Sequence, residues 1–156
     1  MNQKDVTIML MQDIFALCKL AQLHTSRWLK DYGITSSEHS VLVYLAMHKS
    51  SNQERIAQYM LLDKGTITRI LCKLEAKALV LRSPNPQNRR ENLIALTDAG
   101  QALVEELAAI SEQLGQELRA DIPPEDAAVF ESVLLRLRQN AYYLVHQQQK
   151  EAAWHE

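Results

Sequence analysis

Between Lys64 and Arg90 the chain gathers side chains suited to an anionic, grooved partner rather than to bond-making chemistry. A helix beginning at Lys64, plotted at about 100° per residue, puts Gly65, Arg69, Cys72 and Ala76 on one side. Thr66, Thr68 and Lys73 flank them, and Ile67, Ile70, Leu71 and Leu74 lie opposite. The outward face is thus small, hydroxylic and basic. Small residues let a backbone enter a major groove; Thr and Arg reach base edges, while Lys and helix N-terminal N–H groups hold phosphates. Beyond it, Pro84-Asn85-Pro86-Gln87-Asn88 is dense in turn formers and leads to Arg89 and Arg90. Two arginines at the tip of a proline-stiffened hairpin add little packing, but a minor groove's negative potential favours them. The usual signatures of enzyme chemistry are missing: no GxSxG elbow, no HExxH pair and no phosphate-binding glycine loop.

The surrounding sequence supplies elements to position these residues. A helix is expected over 6–31, from Ile8, Met11, Phe15, Cys18, Ala21, Thr25 and Trp28 at three- and four-residue steps, with Gly33 ending it. Thr35-Ser36-Ser37-Glu38 has capping-box form and opens a helix over 36–48, with Val41, Leu42, Leu45 and Ala46 inward. Ser51-Asn52-Gln53-Glu54 has the same form and opens a short helix to about Tyr59. Asp63 can cap the helix from Lys64 to about Leu79. A short helix, a turn and a longer amphipathic helix make a helix-turn-helix. Val80–Ser83 and Asn92–Leu96 read as the strands of a hairpin, or wing. Thr97-Asp98 opens a fifth helix over about 98–119, and Pro123-Pro124-Glu125-Asp126 a sixth, since proline and acids suit a first helical turn. The fold class expected is mainly α with a small β-hairpin wing.

Charge follows the same division. Between Asn52 and Thr97 eight basic residues face four acidic ones, whereas from Asp98 onward four bases face eleven acids. A basic middle on an acidic frame suits one anion-binding segment. An apolar content of 47%, with only 4 Gly and 4 Pro, argues for a packed core of long regular elements. The N-terminus is polar and Asp13 interrupts the apolar run behind it, so neither a secretory signal nor a membrane span is expected and the chain reads as cytoplasmic. Cys18 and Cys72 lie far apart and read as reduced thiols. The apolar stripes of the first and sixth helices exceed what the DNA-binding helices could bury, and a second copy is the simplest cover.

The run Asp63-Lys64-Gly65-Thr66-Ile67-Thr68-Arg69, then Leu74-Glu75, Leu79-Val80, Arg82-Ser83-Pro84-Asn85-Pro86, Arg89-Arg90 and Leu96-Thr97-Asp98-Ala99-Gly100 resembles the MarR family of bacterial regulators. The resemblance implies a winged helix-turn-helix region over 35–97 and a helical dimerisation region formed by 1–34 and 98–156. It implies a homodimer reading near-palindromic double-stranded DNA, with no cofactor. Carried over by position, Lys64, Gly65, Thr66, Thr68, Arg69 and Lys73 form the recognition helix's DNA face, and Asn88, Arg89 and Arg90 the wing. Two positions depart from the family pattern. Asn88 stands where an acid usually orients the wing arginines, and an amide holds a guanidinium more weakly. Ala78 stands where a glycine often follows the recognition helix, so a different helix ending is expected.

The resemblance also implies a small aromatic effector between the dimer helices and the reading head; His24, Trp28 and His39 are lining candidates because they sit near where the first and second helices should meet, and repression is the expected mode of control because a dimer covering a promoter blocks polymerase. Rival readings are a winged-helix protein-interaction module and a thiol switch at Cys72, where oxidation on the DNA-facing side would disturb docking. Glu38 and His39 are adjacent, but the fifth helix has no histidine and a closed zinc site needs about four ligands, so no metal is expected.

Overall fold

The computed structural model describes residues 2–152, without the side chains of residues 3, 7, 89, 90 and 145–152. Among the described residues six helices and three strands follow one another as α1 (Gln3–Asp31), α2 (Ser36–His48), β1 (Ser50–Asn52), α3 (Gln53–Met60), α4 (Lys64–Ala76), β2 (Val80–Asn85), β3 (Asn88–Leu96), α5 (Asp98–Leu118) and α6 (Pro124–Ala152). They form two compact units, one running to Ala108 and the other from Ala109 onward.

Side-chain caps set most of the helix starts. Asn2 accepts from the Lys4 N–H and Asp5 reaches back to Asn2, so α1 begins earlier than its apolar periodicity predicts. The capping box expected at Thr35 and Glu38 is present in both directions. The second one is not: Asn52, not Ser51, caps α3 by accepting from the Arg55 N–H at 2.9 Å. Ser51 is instead buried in β1, its hydroxyl 3.1 Å from the Tyr44 hydroxyl. Asp63 caps α4 as expected, accepting from the Thr66 N–H at 2.8 Å.

Strand β1 carries no sequence signal, being three polar residues. It joins the hairpin to make an antiparallel sheet of order β1-β3-β2, pairing Ser50 with Ala95 and Asn52 with Leu93. The hairpin is longer than expected. Pro84 and Asn85 belong to β2, opposite Asn92 and Asn88, with a register shift between them. Only Pro86 and Gln87 remain as the turn, and Asn85 accepts from the Gln87 N–H at 3.0 Å. A proline is tolerated here because β2 is an edge strand. Leu29, Leu42, Leu45, Ile56, Ile67, Leu71, Leu74 and Ile94 are fully or almost fully buried, so α1's last turn, α2, the helix-turn-helix and the sheet share one core.

The end of α4 differs from the expectation for Ala78. This residue does take the left-handed conformation, at φ 55°. Two hydrogen bonds close the turn, from Ala78 N–H to Glu75 C=O at 2.9 Å and from Leu79 N–H to Leu74 C=O at 3.0 Å. This is the Schellman pattern, which normally uses glycine. Gly33 closes α1 the same way at φ 64°. Long-range support holds Ala78 in place: the Thr97 hydroxyl donates to its carbonyl at 2.7 Å and accepts from the Gly100 N–H at 3.0 Å. A left-handed non-glycine residue costs about 1–2 kcal/mol, while glycine loosens the unfolded chain by about 0.4–1 kcal/mol. Ala78→Gly is therefore expected to stabilise the protein by up to about 1 kcal/mol, seen as a thermal midpoint about 2–4 °C higher. A lower midpoint would contradict this account.

Candidate nucleic-acid interface

Helix α4 buries Ile67, Ile70, Leu71 and Leu74 and exposes Lys64, Gly65, Arg69, Cys72 and Lys73. The helical projection from sequence thus sorts the faces as observed. Thr66 and Thr68 sit partly exposed between them. Gly65 keeps the N-cap open, since a Cβ there would lie 3.2 Å from Asp63 Oδ1.

The polar groups of this face are already organised. The Thr66 hydroxyl donates to Asp63 Oδ2 at 2.6 Å and accepts from Arg69 Nη2 at 3.1 Å. The Thr66 hydroxyl and N–H together hold the Asp63 carboxyl below its ordinary pKa. The Thr68 hydroxyl donates to the Lys64 carbonyl at 2.6 Å and accepts from Gln53 Nε2, also at 2.6 Å. Gln53 belongs to the first turn of α3 and reaches the Lys64 carbonyl as well, at 3.4 Å. The sequence reading missed this residue; the only signal is its place fifteen positions before Thr68, at the start of the preceding helix.

At the wing, Asn88 opens β3 opposite Asn85, and its side chain is exposed. Arg89 and Arg90 follow in the strand, but their side chains lie outside the described residues. Asn52 Nδ2 donates to Glu91 Oε2 at 3.2 Å, tying the cap of α3 to the strand beside Arg90. This strap was also missed.

Trp28 and His39 meet edge to face, ring centroids 5.9 Å apart, and burial pushes the His39 pKa down. His24 is exposed. Nearby lies an open depression of about 440 Å³ lined by Ser26, Lys30, Gly33, Ile34, Thr35 and Ser36. Cys72 is exposed, and the cation that reaches its Sγ is Arg82 of β2 at 3.8 Å, which is also ion-paired with Glu75. Glu38 is 1% exposed, and its carboxylate accepts from the Thr35 N–H, the Thr35 hydroxyl and Lys77 Nζ at 2.7, 2.9 and 2.8 Å. Those bonds give it a structural role, joining the start of α2 to Lys77 just beyond α4. Lys77 also donates to the Gly33 carbonyl at 2.7 Å.

A short helix, a tight turn, an outward-facing second helix and an antiparallel hairpin define a winged helix-turn-helix protein. Residues 34–92 match the model of the MarR family. The chain is 35% identical over 86 residues to the HTH-type transcriptional regulator SarZ of Staphylococcus aureus (strain MRSA252), a match covering 55% of this chain and 58% of that one. It thus spans under two thirds of the length of the curated relatives it matches. Among solved structures, a mutant MarR from E. coli complexed with operator DNA superposes with a TM-score of 0.74 at 25% identity, covering 88% of this chain and 99% of that one. The transcriptional regulator SlyA superposes with a TM-score of 0.78 at 18% identity, covering 86% and 94%.

Proposed function

We propose that this protein is a DNA-binding transcriptional regulator, not an enzyme, acting in the cytoplasm as a homodimer on near-palindromic double-stranded DNA. The observation that carries the reading is the α4 face of Gly65, Arg69 and Lys73, exposed opposite its core stripe and followed by the β2–β3 wing. The E. coli MarR mutant solved with operator DNA supports it.

Duplex binding is expected to weaken steeply with added salt, because phosphate contacts release counterions. Arg69→Ala and Arg90→Ala are each expected to lower affinity by about tenfold or more. Fluorescence anisotropy on duplex from the protein's own upstream region, across a salt series, checks both. Indifference to salt and to both substitutions would favour a protein partner instead.

Region 35–97 would contact DNA, with 1–34 and 98–156 as the dimerisation region. Support comes from apolar surface left open in the single chain: Leu10, Phe15 and Leu20 on α1, and Val129, Phe130, Leu134 and Leu144 on α6 are all more than 40% exposed. By length and composition α1 could also cross a membrane, contrary to the expectation from sequence, its best 18-residue window having a mean hydropathy of 1.4. Asp13 and Lys19 would be costly in a bilayer, whereas a protein interface can leave them at its rim. Light scattering showing a monomer at micromolar concentration would overturn the dimer. Two recognition helices about 34 Å apart would meet successive major grooves, and a dimer seated on a promoter would repress by blocking polymerase. A small aromatic effector acting near Trp28 and His39 is part of this reading; it predicts release of DNA on binding and loss of that response in Trp28→Ala. Exposure of Cys72 on the α4 face supports a second mode, thiol control, in which peroxide weakens DNA binding by the wild type but not by Cys72→Ser.

A further inference from the structure

We propose that Thr66 and Thr68 read DNA through their methyl groups, so that the half-site this protein selects carries thymine opposite them. The inference rests on the DNA-binding reading above and sharpens it to the bases chosen.

A threonine hydroxyl has one hydrogen to give. Thr66 gives its hydrogen to the Asp63 carboxylate, and Thr68 gives its own to the Lys64 carbonyl. Neither acceptor can donate in return, so the direction of both bonds is fixed. Each hydroxyl oxygen already receives a second bond, from Arg69 and from Gln53 respectively. Turning Thr66 toward a base would strip a bond from the charged carboxylate that caps α4, and a bond to a charged acceptor is stronger than the neutral one a base edge returns. Turning Thr68 would break its bonds to Lys64 and Gln53 together. Each oxygen keeps one lone pair but has no hydrogen left to give to the O4 acceptor of thymine, so the group with which these partly exposed side chains can meet that base is the methyl.

In the major groove only thymine presents an apolar group, its C5 methyl. Covering one methyl changes affinity by about fourfold. The polar part of the readout then falls to Arg69, whose exposed guanidinium suits the guanine acceptors. Gln53 is a positioning residue in this scheme: from α3 it holds the Thr68 oxygen, although it lies outside the recognition helix.

The test begins by enriching a duplex from a random library with the full-length protein, then replacing each dT by dU, which removes only the methyl. We expect dU to weaken binding by about fourfold at one or two positions of each half-site. At those positions Thr66→Ser or Thr68→Ser is expected to bind dT and dU duplexes equally, whereas Thr66→Val and Thr68→Val keep the preference for dT. Tolerance of dU at every position would overturn the proposal, and the dU scan needs no variant to fold. Serine variants that keep the dT preference, or valine variants that lose it, would overturn it too, because the threonine methyls would then not be what reads the thymine methyl. If the wild type enriches no sequence, the DNA-binding reading fails as well; enrichment with indifference to dU removes only the methyl readout.

Discussion

Gly100→Ala is expected to lower stability by about 3 kcal/mol, although alanine normally improves a helix by about 1 kcal/mol over glycine. Gly100 sits in the first turn of α5, and a Cβ there would lie 2.0 Å from the Leu79 carbonyl oxygen and 3.0 Å from its carbon. The obstacle is backbone, and it is pinned. Leu79 N–H donates to Leu74 and its carbonyl accepts from the Thr97 N–H at 3.1 Å. Relief therefore requires the start of α5 to shift, which would also disturb the Thr97 bonds to Ala78 and Gly100. A fall of about 10 °C in the thermal midpoint is the expected readout. A midpoint within a degree or two of wild type would mean that the seam between the α4–β2 turn and α5 is looser than these distances imply.

Glu38→Ala is expected to cost about 2–3 kcal/mol near neutral pH, from the lost cap and the unpaired donors it leaves. The substitution removes half of the α2 capping box and leaves the Thr35 N–H without its carboxylate. It also frees Lys77, whose side chain is 36% exposed and can turn to water, so the cation itself adds little to the loss. Lys77→Met removes the other partner and keeps the carboxylate buried. Burial alone pushes the Glu38 pKa up, but the Lys77 hydrogen bond, with those from the Thr35 N–H and hydroxyl, outweighs it and holds the group below 4.5. A carboxyl whose folded pKa lies below its unfolded one adds stability above the unfolded value and loses it as pH falls through the folded one. The gap between wild type and Lys77→Met is therefore widest near pH 7 and narrows below about pH 4.5. Urea unfolding at pH 7 and pH 4 measures it; a gap that widens in acid would contradict the assignment.

What could be read from sequence was local. Thr35 with Glu38 and Asp63 with Thr66 are caps made within three residues, and the inward stripe of α4 is a periodicity within one helix, so both were legible. What escaped depends on distant partners. Asn52 and Ser51 are both acceptable caps by type, and the choice falls to Asn52 because Tyr44 and β3 take Ser51 into the sheet. Ala78 opposes the left-handed turn by its own preference, and Thr97, nineteen positions later, helps hold it there. Gln53 and Glu91 are ordinary polar residues until α3 brings one against Thr68 and Asn52 against the other. The candidate site was legible as a face and a hairpin, but the hydrogen bonds that fix its side chains were not.

Strand β1 has a consequence for the order of folding. β2 and β3 are joined by a two-residue turn and can pair at once, whereas Ser50 meets Ala95 only across a stretch of chain that contains α3, α4 and β2. Chain-closure entropy opposes such a distant pair until the intervening segments have packed. The three residues of β1 therefore close the sheet late, like a clasp fastened after its contents are inside. By the same logic their pairing is a natural first place for the native structure to open, loosening the Asn52–Glu91 strap, and with it the root of the wing, before the helix-turn-helix core unfolds.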